Sequence, residues 1–459
     1  MKTVKYSTPA LTLFLILVLI ISMSSCKKYL DAKPDKRLAV PSSLSDAQAL
    51  LDNYKLMNGF YPATGQESDG DSYLLNDDYN RLTITARQVY SWDKDATNYD
   101  AWNLLYQPVL YANLALETIQ KVSQDGTNAA TINNIKGQAL FFRSFAFFYI
   151  AAYFSLPYDK NVSQDTPGIP LRLSSDVDEK ISRATQAQTY DQITGDLKRA
   201  AQLLPVTSTI RSRPSKAAAY GLLAKVYLTM NDFERAGVYA DSCLSIHDVL
   251  IDYNNINSSA TTPFQTFNDE VLWQCSALQS AAIFSPTAKT DTILYNSYAE
   301  GDLRKSIFFT KNTDGTHSFK GSYDGSNYYD VPFIGVATDE IYLIRAECNA
   351  RAGKLQEALL SLNSLLKNRF VAESFSPANL NSQDEIIARV LQERRKELTF
   401  RNIRWFDIRR LNKEGKYPVT LRRLVSGQLM ELLPNSSRFT FLIPPVVVEL
   451  SGIQQNTRN

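Results

Sequence analysis

Two segments of this chain concentrate side chains suited to holding a ligand by stacking and hydrogen bonding. The first, 58–102, carries Tyr73, Asp77, Asp78, Tyr79, Arg81, Trp92, Asp93, Asn98 and Tyr99. The second, 273–330, carries Trp273, Tyr295, Tyr298, Tyr323, Tyr328 and Tyr329. Flat aromatic faces pack against the C–H bonds of a pyranose, while carboxylates, amides and guanidinium groups bond its hydroxyls. A peptide would use the same aromatics and more backbone contacts. Trp and Tyr offer large contact area with few rotors to freeze. The expected ligand-binding set is Asp78, Arg81, Trp92, Asn98 and Tyr99, with Tyr295 or Tyr323 opposite. Trp102 lies on a helical apolar stripe and is assigned to the core.

Covalent chemistry finds little support. Only two histidines occur, His247 and His317, which nearly excludes histidine-based triads and multi-histidine metal centres. There is no glycine-rich phosphate loop and no HExxH pattern. No catalytic residue, metal ligand or cofactor is assigned. Asp77 and Asp78 are adjacent and point differently, so by themselves they are no acid/base pair, although paired carboxylates elsewhere are a property of the fold. The cluster Arg394, Arg395, Glu397, Arg401, Arg404, Asp407, Arg409 and Arg410 could be taken for an anion site. Glu393 and Glu397 lie one turn apart, and the arginines can pair with acids on neighbouring helices. A structural ion-pair network is therefore expected, with Trp405 in the core.

The 49 Lys and Arg balance 47 Asp and Glu at net charge +2, so no basic excess argues for nucleic acid. The four cysteines form no disulfide framework, and Cys243 and Cys348 sit on apolar helix faces as expected buried thiols. Cys26 is different. Lys2 and Lys5, the apolar run Ala10 to Ile21, and Met23-Ser24-Ser25-Cys26 form a charged start, an apolar stretch and small residues before a cysteine. That pattern predicts a lipoprotein signal peptide over 1–25, with the Cys26 thiol lipidated. Residues 26–45, with Pro34 and Pro41, are expected to be a tether.

The elements that must position these groups are helical. Trp102, Leu105, Tyr106, Val109, Leu110, Asn113 and Leu116 recur at helical spacing, and a second helix runs from about Ile132 to Phe154, ended by Pro157. Ala218 to Leu244 and Tyr342 to Leu365 repeat tetratricopeptide-like spacings, with small residues at Ala224, Ala236, Ala346 and Ala358 and a turn at Gly353. Helix pairs near 102–154, 186–230, 215–246 and 338–369 should stack. Ser382 and Glu385 fit a capping box before the last long helix. Asp314-Gly315, flanked by Ile307-Phe308-Phe309 and Phe319, predicts a small hairpin. The expected fold is all-α: stacked helix pairs with a loop-rich ligand-binding subregion and minor β-hairpins. The expected divisions are 46–250, a loop-rich insertion over 251–335, and 336–459.

Several blocks, in order, resemble the SusD/RagB family of outer-membrane lipoproteins. They are Cys26-Lys27-Lys28-Tyr29-Leu30-Asp31; Trp102, Tyr106 and Asn113; Gly137-Gln138-Ala139 and Phe142-Arg143-Ser144-Phe145; Tyr190, Ile193, Asp196-Leu197, Ala200 and Leu204-Pro205. The strongest is Glu393-Arg394, Glu397-Leu398, Arg404-Trp405-Phe406-Asp407 and Arg409-Arg410, followed by Ile443-Pro444-Pro445, Glu449 and Gln454-Gln455-Asn456. Arg401-Asn402 stands where the family more often has a Glu-Gly pair. The resemblance implies a non-catalytic protein lipid-anchored at the outer face of the outer membrane. There it would capture nutrients, most often oligosaccharides, for a SusC-like TonB-dependent transporter barrel. A RagB-like peptide-uptake subunit is the alternative, and a lipid-anchored helical-repeat glycoside hydrolase a more distant one.

Overall fold

The computed structural model describes residues 41–284, 287–326 and 331–459. The expected signal peptide, Cys26, the tether up to residue 40, and Tyr328 and Tyr329 lie outside the described residues. Ten helices of eight residues or more are found among the described residues. We number them α1 (Leu44–Leu51), α2 (Tyr99–Lys121), α3 (Ala129–Phe154), α4 (Gln186–Leu203), α5 (Lys216–Thr229), α6 (Phe233–Leu244), α7 (Thr338–Arg351), α8 (Leu355–Lys367), α9 (Gln383–Glu397) and α10 (Arg404–Glu414). Strands occur only as two-stranded antiparallel pairs among the described residues. No helix there is long and apolar enough to cross a membrane.

Helix boundaries follow local chemistry. Ser43 caps α1 in a capping box with Asp46, so that helix begins inside the stretch expected to be tether. Asn98 caps α2, its side chain accepting from Ala101 N. Ser382 caps α9 and accepts from Glu385 N, as its spacing predicts. Gly353 takes φ +75 between α7 and α8, a left-handed turn that costs glycine no Cβ clash.

The pairs stack as their periodicity predicts: α2 on α3, α3 on α4, α4 on α5, α5 on α6, α6 on α7 and α7 on α8. From Gly137 to Phe154 every residue of α3 is buried, which makes it the central element rather than an amphipathic one. A Cβ at Gly137 would stand 2.9 Å from Leu204 Cγ, so the missing side chain lets the end of α4 close onto α3. Arg143 joins three layers, bonding Asn113 of α2 at 2.9 Å and pairing with Asp196 of α4 at 2.7 Å. Cys243, Cys275 and Cys348 are free and buried.

The arginine-rich C-terminal block is an internal ion network. Arg394 bridges Glu340 and Asp407, Arg410 forks onto Glu347 and reaches Asp407, and Arg401 pairs with Asp339. Trp405 is fully buried against Phe439 and Phe441. Asn402 adopts φ +57, the left-handed backbone that a glycine would take without strain. Its side chain compensates: Nδ2 donates to Pro62 O and Tyr153 Oη, and Oδ1 accepts from Gln66 N.

The loop-rich stretch over 251–335 has its own apolar cluster, built from Tyr253, Phe264, Leu294, Tyr298, Phe308, Phe319 and Tyr323. Buried charge ties that cluster to the helices. Arg304 binds Asp302, Glu393 and Glu397, and Arg369 binds Glu270 and Glu397.

Candidate functional site

The two segments rich in candidate ligand-binding side chains meet in a ladder. β1 (Ser72–Tyr73) pairs antiparallel with β2 (Lys289–Thr290), in register Ser72↔Thr290 and Tyr73↔Lys289. Asp291 N donates to Asp71 O at 2.9 Å, extending the pairing. From the helical body, Arg395 of α9 donates Nε to Asp71 at 2.9 Å and Nη2 to Asp291 at 3.1 Å. One guanidinium thus fastens both segments to the same helix. Alternation along the ladder buries Ser72 and Thr290 on one face and leaves Tyr73 half-exposed on the other.

The predicted hairpin lies beside this ladder. β3 (Phe309–Lys311) pairs with β4 (His317–Phe319), closed through Asp314 and Gly315, the latter at φ +83. Ser318 Oγ donates to Ala288 O, and Lys289 Nζ lies 3.9 Å from Asp314. On the half-exposed side, the Tyr295 ring stacks on His317 with centroids 3.6 Å apart and planes 15° from parallel. Lys305 Nζ sits 4.9 Å from the Tyr295 centroid. Beyond it opens a groove of about 540 Å³ lined by Tyr295, Glu300, Gly301, Lys305, Ser306 and Val371, among others. A strip of polar and aromatic groups therefore runs from Tyr73 through Asp314, His317 and Tyr295 to this groove.

The electrostatics of the strip follow from its neighbours. Partial burial, together with the Lys311 and Lys305 ammonium groups, holds His317 below its ordinary value. The Asp314 carboxyl is lowered by hydrogen bonds from the Thr316 hydroxyl and backbone N–H. Tyr73 is raised by burial and by Asp314 and Asp291. The arrangement offers stacking faces, hydrogen-bond donors and acceptors, and fixed positive charge.

Of the residues singled out in the sequence, Tyr295 stands in this strip. The structure corrects the assignments of Trp92 and Tyr323. Trp92 is 1% exposed, donates Nε1 to Ser68 O at 2.9 Å, and has the Arg423 guanidinium 4.9 Å from its ring. Tyr323 is also 1% exposed; its hydroxyl bonds Glu270 and Tyr253, and Arg401 covers its ring at 3.9 Å. Burying such rings stabilises each loop by about 2–3 kcal/mol, more than leaving them to face water. Neither ring is presented to a ligand in this conformation. Asn98 spends both side-chain atoms on structure, capping α2 and donating to Thr64 Oγ1 at 3.2 Å. Tyr99 is exposed on the first turn of α2, while Asp78 and Arg81 form a surface pair at 3.2 Å on the short helix Asn76–Arg81.

Sequence reasoning passed over His317, Lys305 and Lys311. For His317 and Lys311 the signal was the Asp-Gly turn, which predicts the hairpin and with it the side chains that face one another across it; Lys305 lies on the short helix Arg304–Phe308 before it. A second cavity, about 680 Å³, lies by Arg172, Lys180, Arg183, Gln188 and Asp191, and has no aromatic side chain in its wall. The carboxylates of Glu270, Asp339 and Glu397 lie within 4.8 Å of one another. Arg369, Arg401 and Arg304 already hold them, a donor set suited to an ion-pair core rather than to an open cation site.

Comparison with known proteins agrees with this architecture. Residues 28–228 match a family model described as "Starch-binding associating with outer membrane", and residues 257–423 match one described as "SusD family". The chain is 24% identical over 379 residues to a SusD-like protein P2 of Formosa agariphila, covering 68% of this chain and 71% of that protein. It superimposes on a SusD superfamily protein from Bacteroides thetaiotaomicron with TM-score 0.72 at 21% identity, covering 91% of this chain and 100% of the other. A SusD-like carbohydrate binding protein from Bacteroides vulgatus gives TM-score 0.69 at 21% identity, covering 89% and 96%.

Proposed function

The chain belongs to the SusD/RagB family, and from that premise we propose that it is a non-catalytic outer-membrane subunit that captures oligosaccharides for uptake. The observation that carries this reading is the half-exposed Tyr295–His317 stack at the mouth of a groove, beside a ladder that joins the two segments rich in aromatic and polar side chains. An aromatic platform bordered by hydrogen-bonding side chains is the chemistry that sugar recognition needs. In this reading Cys26 carries the lipid, the residues after it tether the body to the membrane surface, and a SusC-like TonB-dependent barrel receives the ligand. The names of relatives support carbohydrate over peptide as the ligand class.

Calorimetry of the purified full chain against a panel of glycans and peptides tests the proposal. Glycan binding without release of shorter products is expected. Turnover would make it a hydrolase, and binding of peptides alone would make it a peptide-uptake subunit. Labelling with radioactive palmitate that persists in Cys26→Ala would overturn the anchor, and failure of any large barrel to co-purify would overturn the partner.

A further inference from the structure

We propose that the Tyr295–His317 platform is a subsite for a carboxylate-bearing sugar, with Lys305 and Lys311 supplying the countercharge. This rests on the carbohydrate-binding reading above. Stacking and neutral hydrogen bonds would suffice for a neutral glycan; Lys305, whose Nζ donates to Tyr298 O at 3.3 Å, and the exposed Lys311 add positive charge beyond that.

Their placement is specific. Lys311 is the direct cross-strand partner of His317 in the hairpin and is exposed. Cross-strand partners hold their Cβ atoms about 5 Å apart. Lys305 lies against the Tyr295 ring and lines the groove. Both charges act on the imidazole, which burial first and then these two ammonium groups hold below its ordinary value. The lowered pKa disfavours a third cation on the phenol ring beside the other two.

The acids nearest this platform are largely engaged elsewhere. Asp314 accepts from Thr316 N and Oγ1 and faces Lys289. Asp291 accepts from Leu294 N and from Arg395. Glu300, exposed on the same groove, would accept from hydroxyls of the ligand. Positive charge at the stacking platform matches a glycan whose stacked residue is a uronate. Lysine binds such a carboxylate as a point charge, so the preference is electrostatic and salt-sensitive.

The test uses the purified full chain and matched probes: uronate oligosaccharides (galacturonate, mannuronate and glucuronoxylan oligomers) and the same oligomers with their carboxyl groups reduced to alcohols. At about 50 mM salt, at least one acidic oligomer is expected to bind about ten-fold more tightly than its reduced form, and the gap should close at about 500 mM. The double variant Lys305→Gln, Lys311→Gln should bind both forms alike while still binding the reduced one. Equal affinity in the unaltered protein, or a preference that survives in the double variant, would overturn the inference. If neutral glycans bind in a Tyr295-dependent way and acidity adds nothing, only this inference fails. If no glycan of either kind binds, the proposed function fails with it.

Discussion

Arg395 donates to Asp71 across 324 positions of sequence, and the same guanidinium reaches Asp291 at 3.1 Å. A single side chain on α9 therefore sets the spacing of the two segments that carry the candidate site. Its own side chain is 26% exposed, so the pairing is partly screened.

Removing that clamp should loosen the site more than the fold. Arg395→Met is expected to destabilise by roughly 1–3 kcal/mol, because it leaves the Asp71 carboxylate buried without its countercharge. Hydrogen exchange should accelerate at residues 71–73 and 289–291 while α3 stays protected. Uniform acceleration across α3 would show that Arg395 holds the whole body rather than the ladder.

Tyr295 and Trp92 should separate binding from stability. Tyr295→Ala is expected to weaken glycan binding by about ten-fold with little change in Tm, in keeping with about 1–1.5 kcal/mol for an aromatic contact. Trp92→Ala should cost about 3–5 kcal/mol of stability through the cavity it opens. Thermal melts and calorimetry on both variants check this, and a normal melt for Trp92→Ala would contradict its burial.

The ion network predicts the response to acid. Burial raises the Glu347 carboxyl, but Arg410, Arg351 and Arg394 more than offset it, leaving its pKa below the ordinary carboxylate value. A carboxyl lowered in the folded state contributes stability that is present above its unfolded pKa and disappears as pH falls through the folded one. The protein should therefore lose stability steadily as pH drops below about 4. Glu347→Gln should be about 3–5 kcal/mol less stable at pH 7 and show a shallower acid dependence. Urea melts at neutral and acid pH measure both effects.

Asn402 gives a graded series. Asn402→Gly accepts φ +57 without strain but loses the bonds to Pro62, Tyr153 and Gln66. Asn402→Ala loses those bonds and adds about 1–2 kcal/mol of left-handed backbone strain. The order of Tm should be Asn, then Gly, then Ala. Equal melts for Gly and Ala would show that the backbone there is not strained.

The helices were legible because their signals are local. Periodicity placed α2, α3, α5 to α8 and α9 within a few residues, and Ser382 and Gly353 marked a start and a turn. The arginine block was legible as a network because its acids recur at helical spacing. The site was less so, since burial of a loop aromatic is decided by partners far away. Trp92 is covered by Arg423, and Tyr323 by Arg401 and Glu270, none of them near in sequence. Asn98 preceded a helical stripe, so its role as a cap was readable there. His317 was weighed only against catalysis, and its stacking on Tyr295 depends on a hairpin docking beside a helix from another part of the loop region.

The ladder between Ser72 and Thr290 has a temporal side as well. Its strands are separated by more of the polypeptide than most whole domains contain, and closing so long a loop carries an entropic cost that only surrounding native structure can offset. The candidate site should consequently be among the last parts to assemble, after the α2 to α5 stack has formed. A truncated or half-folded chain would display no such surface, so competence to bind doubles as a certificate that maturation has finished.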